Sequence, residues 1–465
     1  MIVVTNRGPA SFTQQPDGTF TSRRGAGGVV SALSPLLGVT PASAAAGEEA
    51  TWVAAALSDD DRAAVRAGAA HVDGVDLHLL DIDPALQRMH YDVVSNSVLW
   101  FLHHGLFDLP RRPRFDRRFL EAWEAYETVN RCFADDVVER APDGDVVLVQ
   151  DIHLTLVPEL VRRARPDLAV SHFTHTPFCG PNSIRVLPRQ VARAMCGSMA
   201  TVSSGFHTER WARAYEASAR EVLGGEREFA PAFVSSLGPD AAALQRTAGS
   251  PEAVAAAAAL EEQVGDRMLI VRSDRVEPSK NIVRGFHAFE LLLTEHPELR
   301  ERVVFVALVY ASREGLPEYL AYRQEAEQAA ALVNERWATP TWQPVVLDTR
   351  DDFARSLAGL ARYDVLLVNP IKDGLNLVAK EGPLVNRRDG VVCLSPEAGA
   401  FDELGEAVVP SHPYDLVHTA DALHTALTMP SDERRARARR LRELAGARTP
   451  SMWLDDLVRA ARGGA

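Results

Sequence analysis

Short apolar segments alternate with longer amphipathic stretches through most of this chain. Segments such as VVLVQ at 146–150, MLIVRSD at 268–274 and DVLLVN at 364–369 are rich in β-branched residues and are bounded by polar residues. Such alternation is typical of βα units, in which parallel strands are buried between helices. The predicted fold class is therefore α/β, with two Rossmann-like, doubly wound domains that face each other across a cleft.

The length of the chain and one linker-like segment predict two domains. At 465 residues the chain exceeds the size at which one hydrophobic core stops growing. The predicted strands form two clusters, which are separated near 240–265 by a segment that leads into an Ala-rich helix. We therefore expect an N-terminal domain over 1–240 and a C-terminal domain over 241–450, with a final helix in 451–465 that packs back on the N-terminal domain.

The composition argues against several classes of partner. The formal net charge is −13, which disfavours nucleic acid and anionic membrane surfaces. The N-terminus shows no signal peptide, and no apolar run reaches a membrane-spanning length. Cys132, Cys179, Cys196 and Cys393 lack metal-ligand or redox spacing and are predicted to be buried free thiols. A cytoplasmic protein with no nucleic-acid and no membrane partner is expected.

Nearly all the notable polar motifs fall after predicted strands. TNRGP follows the first strand, and QDIHL, HTP, SDRVEPSKN, SRE and IKDGLNL follow later ones. In doubly wound sheets the ligand lies beyond the carboxyl ends of the strands. These motifs are therefore predicted to form the functional site.

Only three lysines, Lys280, Lys372 and Lys380, occur among the fifty basic residues, and all three lie in two short segments, RSDRVEPSKN at 272–281 and NPIKDGLNLVAKE at 369–381. An ammonium group is a compact point charge, whereas a guanidinium is planar and forked. The lysines are therefore candidate site residues. The alternative interpretation is that three residues are too few to carry meaning.

The stretch KDGLNLVAKE at 372–381 predicts a loop that enters a helix. A helix N-terminus offers unpaired backbone N–H groups and a partial positive charge, which suit a phosphate. Asp373 precedes this helix and is placed to bind sugar hydroxyls, and Glu381, about one turn inside it, is placed to bind ribose hydroxyls. The alternative is that Asp373 caps a turn with Gly374 and that Lys380 and Glu381 are ordinary surface charges.

Arg275 and Lys280 lie in the loop after the strand MLIV. Two fixed cations there would stabilise a leaving group that departs as a diphosphate, because its negative charge grows in the transition state. No clear Asp-x-Asp pair follows a strand, and the acidic run at 59–61 is typical of a helix start. The sequence therefore favours leaving-group stabilisation without a metal and predicts no cofactor.

Two N-terminal features are weaker signals. Arg7 follows the first strand, and Gly27 with Gly28 opens an apolar segment that is predicted to be a helix, where glycines permit close approach of a ligand. His175 ends another strand. A structural role for His175 also stays open. In a strand, His172 and His175 would face opposite sides of the sheet, so one would be buried and the other exposed.

Nine motifs in the same order resemble those of the trehalose-6-phosphate synthase family, which are retaining glycosyltransferases of the GT-B architecture. They cover nearly the whole chain: VVTNRGP at 3–9, GAGGVVSAL at 25–33, YDVVSNSVLW at 91–100, QDIHL at 150–154, HTPF at 175–178, GFHTERWA at 205–212, DRVEPSKN at 274–281, ASREGLPEY at 311–319 and KDGLNLVAKE at 372–381.

The resemblance implies transfer of glucose from a nucleoside-diphosphate glucose to glucose 6-phosphate, which gives α,α-trehalose 6-phosphate with retention at the donor carbon. It implies a catalytic set of four residues, His175, Arg275, Lys280 and Asp373. It implies a donor site that also contains Gly27, Gly28, Asn376, Leu377, Val378 and Glu381. It implies an acceptor site in which a phosphate is bound by Arg7, Tyr91, Trp100 and Arg313, with Asp151 toward the acceptor hydroxyls. The N-terminal domain would bind the acceptor and the C-terminal domain the nucleotide sugar.

Departures from the family pattern lie beside the donor site. Thr176 and Cys179 replace the usual apolar residue and proline near the central histidine, and Lys372 replaces an arginine. The donor base is therefore open between UDP and GDP, with a slight preference for UDP.

Two other functions also stay open. One is that of a related synthase with another acceptor phosphate, and the other is that of a catalytically silent sugar-phosphate sensor. The sensor is disfavoured because Arg275, Lys280, Asp373 and Glu381 are retained. A homo-oligomer is neither predicted nor excluded.

Overall fold

The computed structural model describes residues 1–24, 33, 50–72, 75–224 and 229–464. Gly27 and Gly28, with the helix they are predicted to open, lie outside these residues. The chain divides into two compact units. The N-terminal unit contains Met1–Leu237 and Pro450–Ala465, and the C-terminal unit contains Gly238–Thr449. From the sequence, these boundaries are placed at 240 and 450.

The N-terminal unit is built on a seven-stranded parallel sheet with the strand order β5-β4-β1-β6-β7-β8-β9. Val4 in the central strand β1 lies opposite Val53 on one side and Val149 on the other. A separate antiparallel hairpin joins β2 to β3. The strands of this unit are β1 (Ile2–Arg7), β2 (Ala10–Gln14), β3 (Phe20–Arg24), β4 (Thr51–Ala55), β5 (Asp76–Leu80), β6 (Val146–Gln150), β7 (Ala169–Thr174), β8 (Ser203–Phe206) and β9 (Ala232–Val234).

Helices cover this sheet because their apolar faces match its buried strands. Val129, Phe133 and Val137, on one face of the longest helix, pack with the side chains of β1 and β6 in a single core cluster. The π-helical segment Met89–Leu99 and the 3₁₀ turn Ile152–Leu154 complete the unit. Its α-helices are Asp59–Arg66, Pro84–Arg88, Trp100–His104, Arg117–Arg140, Val157–Ala164, Pro181–Ile184, Arg189–Met199, Glu209–Leu223 and Pro450–Ala461.

The last helix belongs to the N-terminal unit through several contacts. Trp453 is fully buried, and its ring lies 5.2 Å from that of Phe173 in an edge-on arrangement. The Ser171 hydroxyl donates to the Leu457 carbonyl at 3.2 Å. The end of the chain therefore packs on β7, the strand that leads to His175.

The C-terminal unit contains a six-stranded parallel sheet with the order β12-β11-β10-β13-β14-β15. Its strands are β10 (Met268–Arg275), β11 (Val303–Tyr310), β12 (Val345–Asp348), β13 (Val365–Val368), β14 (Val391–Leu394) and β15 (Val409–Pro410). Its α-helices are Ala241–Ala248, Pro251–Val264, Ile282–Glu295, Pro317–Trp337, Phe353–Arg362, Val378–Val385, Phe401–Leu404, Leu416–Thr428 and Ser431–Ala445, with 3₁₀ turns at Pro278–Lys280 and Pro297–Leu299.

Local sequence signals account for two predicted helix starts. The Ser58 hydroxyl accepts from the Asp61 N–H at 2.9 Å, so the acidic run at 59–61 begins a helix as predicted. Ser250 accepts from the Ala253 N–H at 3.2 Å at the start of the Ala-rich helix, which is also confirmed.

Both large sheets have the doubly wound order, in which the strands run outward in both directions from a central pair. The prediction of an α/β fold with two Rossmann-like sheets is confirmed. Among the described residues, no helix is both long and apolar enough to cross a bilayer. The prediction of buried thiols holds for Cys179, Cys196 and Cys393 but is wrong for Cys132, which is exposed because it lies on the outer face of the helix Arg117–Arg140.

Candidate active site

The predicted site residues lie where the central strands of each sheet end. In the N-terminal unit, Arg7 ends β1 and Asp151 directly follows β6, the neighbour of β1 in the sheet. In the C-terminal unit, Arg275 ends β10, and Asp373 lies in the loop after the adjacent strand β13. These are the points at which strand order reverses, where doubly wound sheets bind ligands.

Lys280 and Asp373 form an ion pair in the C-terminal unit. The Lys280 Nζ lies 2.6 Å from Asp373 Oδ2, and the two side chains are only 13% and 15% exposed. Burial lowers the pKa of the Lys280 ammonium, but Asp373, Asp274 and Glu277 raise it by more, so its net pKa lies above the ordinary value. Lys280 therefore stays charged at neutral pH, and an ammonium has further N–H donors for a ligand.

Asn376 connects this ion pair to the helix that follows. Its Nδ2 donates to Asp373 Oδ2 at 3.1 Å, and its Oδ1 accepts from the Ala379 N–H at 3.3 Å. Asn376 has a φ of 76°, in the left-handed region that asparagine tolerates better than most residues. The bend at Asn376 thus sets the entry of the chain into the helix Val378–Val385.

The helix Val378–Val385 begins as the sequence predicts, and its N-cap residue Leu377 makes no side-chain cap. The first N–H groups of a helix have no partner within the helix, and they carry the positive end of its dipole. The preceding loop is held by the loop that follows β14, because the Asp373 N–H donates to the Glu397 carbonyl at 3.1 Å. A Cβ on Gly399 would lie 2.0 Å from the Gly374 carbonyl oxygen, so this close approach requires glycine.

A buried carboxylate that sequence reasoning did not single out joins two predicted site residues. Glu277 is 2% exposed, and its Oε1 lies 2.9 Å from Arg313 Nη1 and 3.3 Å from Arg275 Nη1. Ser312 also donates to this oxygen at 3.1 Å, and Arg313 donates to the Tyr319 hydroxyl at 2.7 Å. Glu277 is the main cause that raises the pKa of Arg275 above its ordinary value. One carboxylate therefore fixes two cations, one at the end of β10 and one in the loop after β11.

Arg272 holds the backbone of Lys280 in place. This fully buried guanidinium donates to Asp274 Oδ2 at 2.9 Å and to the Lys280 carbonyl at 2.7 Å. Burial raises the pKa of the Asp274 carboxyl above its ordinary value although Arg272 acts to lower it. A Cβ on Gly285 would lie 2.7 Å from Arg272 Nη1, so glycine leaves room for this guanidinium.

The other two lysines lie in different surroundings. Lys380 is fully buried, and its Nζ donates to both oxygens of Glu403 at 2.9 and 3.0 Å. The alternative interpretation of Lys380 as a surface charge is wrong, because this ammonium ties two helices inside the unit. Its role as a site residue stays a prediction. Lys372 is half-buried in the loop that contains Asp373.

Glu381 lies half-buried on the first turn of the helix Val378–Val385. Burial raises the pKa of its carboxyl to about 7. The interpretation of Glu381 as an ordinary surface charge is therefore wrong. Its carboxyl changes charge near neutral pH, beside a helix start that favours negative charge.

In the N-terminal unit, Asp151 is the centre of a second group. It has a φ of 71°, and its Oδ1 accepts from the His175 N–H at 3.3 Å. Its Oδ2 lies 3.8 Å from His153 Nδ1, and the His153 ring stacks on Tyr91 with centroids 5.3 Å apart. Burial acts to raise the pKa of Asp151, but His153 and His175 lower it by more. Asp151 is therefore held as a carboxylate.

Hydrogen bonds define the tautomer of His175. The Leu237 N–H donates to His207 Nδ1 at 3.4 Å, so the proton of that ring is on Nε2. That N–H faces His175 Nδ1 at 3.2 Å, which leaves the His175 proton on Nε2, 2.9 Å from Gln150 Oε1. Burial lowers the pKa of His175 to about 4, so the ring is neutral at physiological pH.

Trp100 and Arg7, which are both predicted to bind the acceptor phosphate, lie in different surroundings. Trp100 is only 3% exposed and stacks on His104 with centroids 4.1 Å apart. Arg7 is exposed at the end of β1. The structure thus connects Tyr91, Asp151 and His175 in one group, and Lys280, Asp373 and Asn376 in another.

Comparison with known proteins identifies the family. The sequence model of glycosyltransferase family 20 matches residues 1–462. The chain belongs to this family. It is 32% identical to a bifunctional trehalose-6-phosphate synthase/phosphatase from Thermoproteus tenax over 98% of its own length, and it spans 63% of that relative. It is 30% identical to the UDP-forming α,α-trehalose-phosphate synthase of Botryotinia fuckeliana, with 98% of this chain and 88% of the relative covered.

A solved structure supports the same conclusion. The UDP-forming α,α-trehalose-phosphate synthase from Burkholderia xenovorans, in complex with glucose-6-phosphate, is similar with a TM-score of 0.83. The identity is 25%, and 99% of each chain is covered. The resemblance drawn from the motifs is confirmed: this is a glycosyltransferase with the GT-B fold of the trehalose-6-phosphate synthases.

Three residues that contact the predicted site residues were not predicted individually from the sequence. Glu277, His153 and His207 all lie inside motifs that carried the resemblance, namely DRVEPSKN, QDIHL and GFHTERWA. Their position within these motifs was the available signal. It indicates proximity to the site but not which partner each side chain contacts.

Proposed function

We propose that this glycosyltransferase transfers glucose from a nucleoside-diphosphate glucose to glucose 6-phosphate and forms α,α-trehalose 6-phosphate. The observation that carries the proposal is the Lys280–Asp373 pair beside the start of the helix Val378–Val385, which combines an ammonium, a carboxylate and the positive end of a helix dipole. These groups suit the phosphates and the sugar of a donor. The relatives named as trehalose-phosphate synthases support the same reaction.

The proposed donor is UDP-glucose. The Botryotinia fuckeliana and Burkholderia xenovorans relatives are named UDP-forming, and the donor-site residues quoted for the family are present in this chain. Glu381 is proposed to bind the ribose hydroxyls, and the backbone of Asn376, Leu377 and Val378 to face the diphosphate. GDP-glucose is the competing donor that the experiment below tests.

In the proposed reaction, the bond between the donor anomeric carbon and the diphosphate oxygen breaks. A new bond to the anomeric oxygen of the acceptor forms on the same face, and the acceptor proton passes to the leaving phosphate oxygen. Arg275 and Lys280 stabilise the negative charge that develops on the diphosphate, because they are cations fixed in advance by Glu277 and Asp373. His175 and Asp373 orient the donor glucose and do not act as nucleophiles.

The proposed acceptor is a hexose phosphate. Arg7, Tyr91, Trp100 and Arg313 are proposed to bind its phosphate, since two guanidinium groups, a phenol and an indole supply hydrogen-bond donors. Asp151 is proposed to accept from the acceptor hydroxyls, which its ionised state favours.

One experiment tests donor, acceptor and reaction together. The purified protein is incubated with glucose 6-phosphate and with UDP-, GDP- or ADP-glucose, and the products are identified by mass and NMR. We expect α,α-trehalose 6-phosphate and UDP, also in the presence of EDTA. No disaccharide phosphate with any donor would contradict the proposal, and a β configuration at the anomeric carbon of the transferred glucose would contradict retention.

A further inference from the structure

Two imidazoles and one carboxylate meet in the C-terminal unit, outside the residues assigned to the proposed reaction. They are His296, Glu298 and His424, and one potential ligand atom from each lies within 4.8 Å of the others. His296 Nδ1 lies 3.2 Å from Glu298 Oε1, and the two imidazole rings stack with centroids 3.7 Å apart and planes 9° from parallel. We call these three residues the His296 cluster.

The backbones that carry the cluster are held in place by the core. His296 directly follows the helix Ile282–Glu295, and Pro297 restricts the turn that leads to Glu298. Arg300 secures this turn because its Nε donates to the Leu293 carbonyl at 2.9 Å. His424 lies on the helix Leu416–Thr428, which packs against the helix Ile282–Glu295. Rigid backbone positions favour metal binding, because ligand atoms must be held within tenths of an ångström.

We propose that the His296 cluster binds one divalent transition-metal ion of the zinc class. Imidazole nitrogens and a carboxylate are the ligands that zinc, nickel and copper ions prefer, whereas magnesium and calcium take oxygen ligands. Glu298 is exposed and the two histidines are half-buried, so water has access to the remaining coordination positions. In the stacked arrangement the in-plane lone pairs of the two rings do not meet, so binding requires one imidazole to rotate out of the stack and the exposed Glu298 side chain to turn toward it.

Such an ion stabilises a pair of helices that are already joined at their other end. Asn281, which directly follows Lys280, donates from Nδ2 to the Asn369 carbonyl at 3.0 Å and to the Pro413 carbonyl at 2.7 Å. Asn281 precedes one helix of the pair, and Pro413 lies just before the other. The ion therefore joins the far ends of the two helices and stabilises the folded chain by mass action.

Titration calorimetry with zinc sulfate on the full chain tests the proposal. The Cys132→Ser background removes an exposed thiol, because thiolates are zinc ligands and would compete with the cluster. We expect one equivalent of zinc to bind with a Kd of about 10 μM or tighter, and His424→Ala to weaken it at least about tenfold. His287→Ala is the matched control, because it lies on the same helix as the His296 turn but about 14 Å away along the axis.

Two further measurements keep the test decisive. The double variant His296→Ala, Glu298→Gln provides a second removal of the cluster, and circular dichroism shows whether each variant is folded. Zinc should raise the midpoint of thermal unfolding of the parent and of His287→Ala, but not of a cluster variant, and magnesium should raise none of them. Zinc binding by His424→Ala with parental affinity, or no binding by the parent at about 100 μM zinc, would overturn the proposal.

Discussion

Lys280 and Asp373 are ninety-three positions apart in the sequence, yet Nζ of one lies 2.6 Å from Oδ2 of the other. Each follows one of two adjacent central strands, β10 and β13, so the doubly wound sheet brings them together. The pair holds the ammonium in place before a ligand arrives. Fixed charges of this kind stabilise a transition state without a reorganisation cost during the reaction.

Lys280→Ala removes this cation, and we expect turnover to fall by about two to three powers of ten, the range for loss of one preorganised donor. The measurement is kcat with saturating UDP-glucose and glucose 6-phosphate. Arg440→Ala is the control, because it removes a half-exposed cation of the same unit that pairs with Glu406. Turnover within threefold of the parent for Lys280→Ala would contradict the role.

Glu277→Gln keeps the shape of the side chain but removes the charge that Arg275 and Arg313 share. We expect KM for both donor and acceptor to rise by about tenfold, because a charge-assisted hydrogen bond is worth roughly 1.5 kcal/mol and each guanidinium loses one. Steady-state kinetics with each substrate varied in turn provides the two values.

The control for this variant is Glu327→Gln, since Glu327 is an exposed carboxylate that also pairs with an arginine, Arg323. It should leave both KM values unchanged. A rise in the KM of only one substrate would show that Glu277 positions only one of the two arginines.

How far sequence alone predicts this site depends on how local the determining contacts are. The helix start after Leu377 and the placement of Arg275 and Asp373 at strand ends follow from strand–loop–helix patterns that span a few residues. Those expectations needed only the rule that parallel strands end on the same side of a sheet.

The surroundings of single side chains depend on loops that meet only after folding. Glu277 receives Arg313 from the loop after β11, and Lys380 is buried because Glu403 lies on another helix. A fully buried lysine is rare, so no local pattern indicated it. The same motifs that carried the resemblance contained Glu277, but its partners required the fold.

Glu381 makes the stability of the protein depend on pH. Burial raises the pKa of its carboxyl in the folded chain to about 7, whereas in the unfolded chain it is about 4.3. Between these values the folded state holds a proton that the unfolded state has released, so the free energy of unfolding falls as pH rises toward 7. Above 7 this contribution no longer changes. Glu381→Gln should remove this part of the decline.

The measurement is the midpoint of thermal unfolding of both proteins from about pH 5 to pH 8 without ligand. We expect the parent to lose stability relative to Glu381→Gln up to about pH 7 and to run parallel to it above. Parallel curves over the whole range would show that the Glu381 carboxyl is ionised throughout.

His207 determines which nitrogen of His175 carries the proton, because the His207 Nε2–H faces His175 Nδ1 at 3.2 Å. His207→Ala should lower kcat roughly tenfold by allowing the wrong tautomer and a misplaced ring, while His207→Gln should restore most of the loss, because its amide N–H is also a donor. His71→Ala, which changes an exposed histidine of the same unit, is the control. Because burial lowers the pKa of His175 to about 4, its ring should add no inflection to the kcat profile between about pH 6 and 8. Equal turnover of the alanine and glutamine variants would mean that His207 supports His175 only by packing.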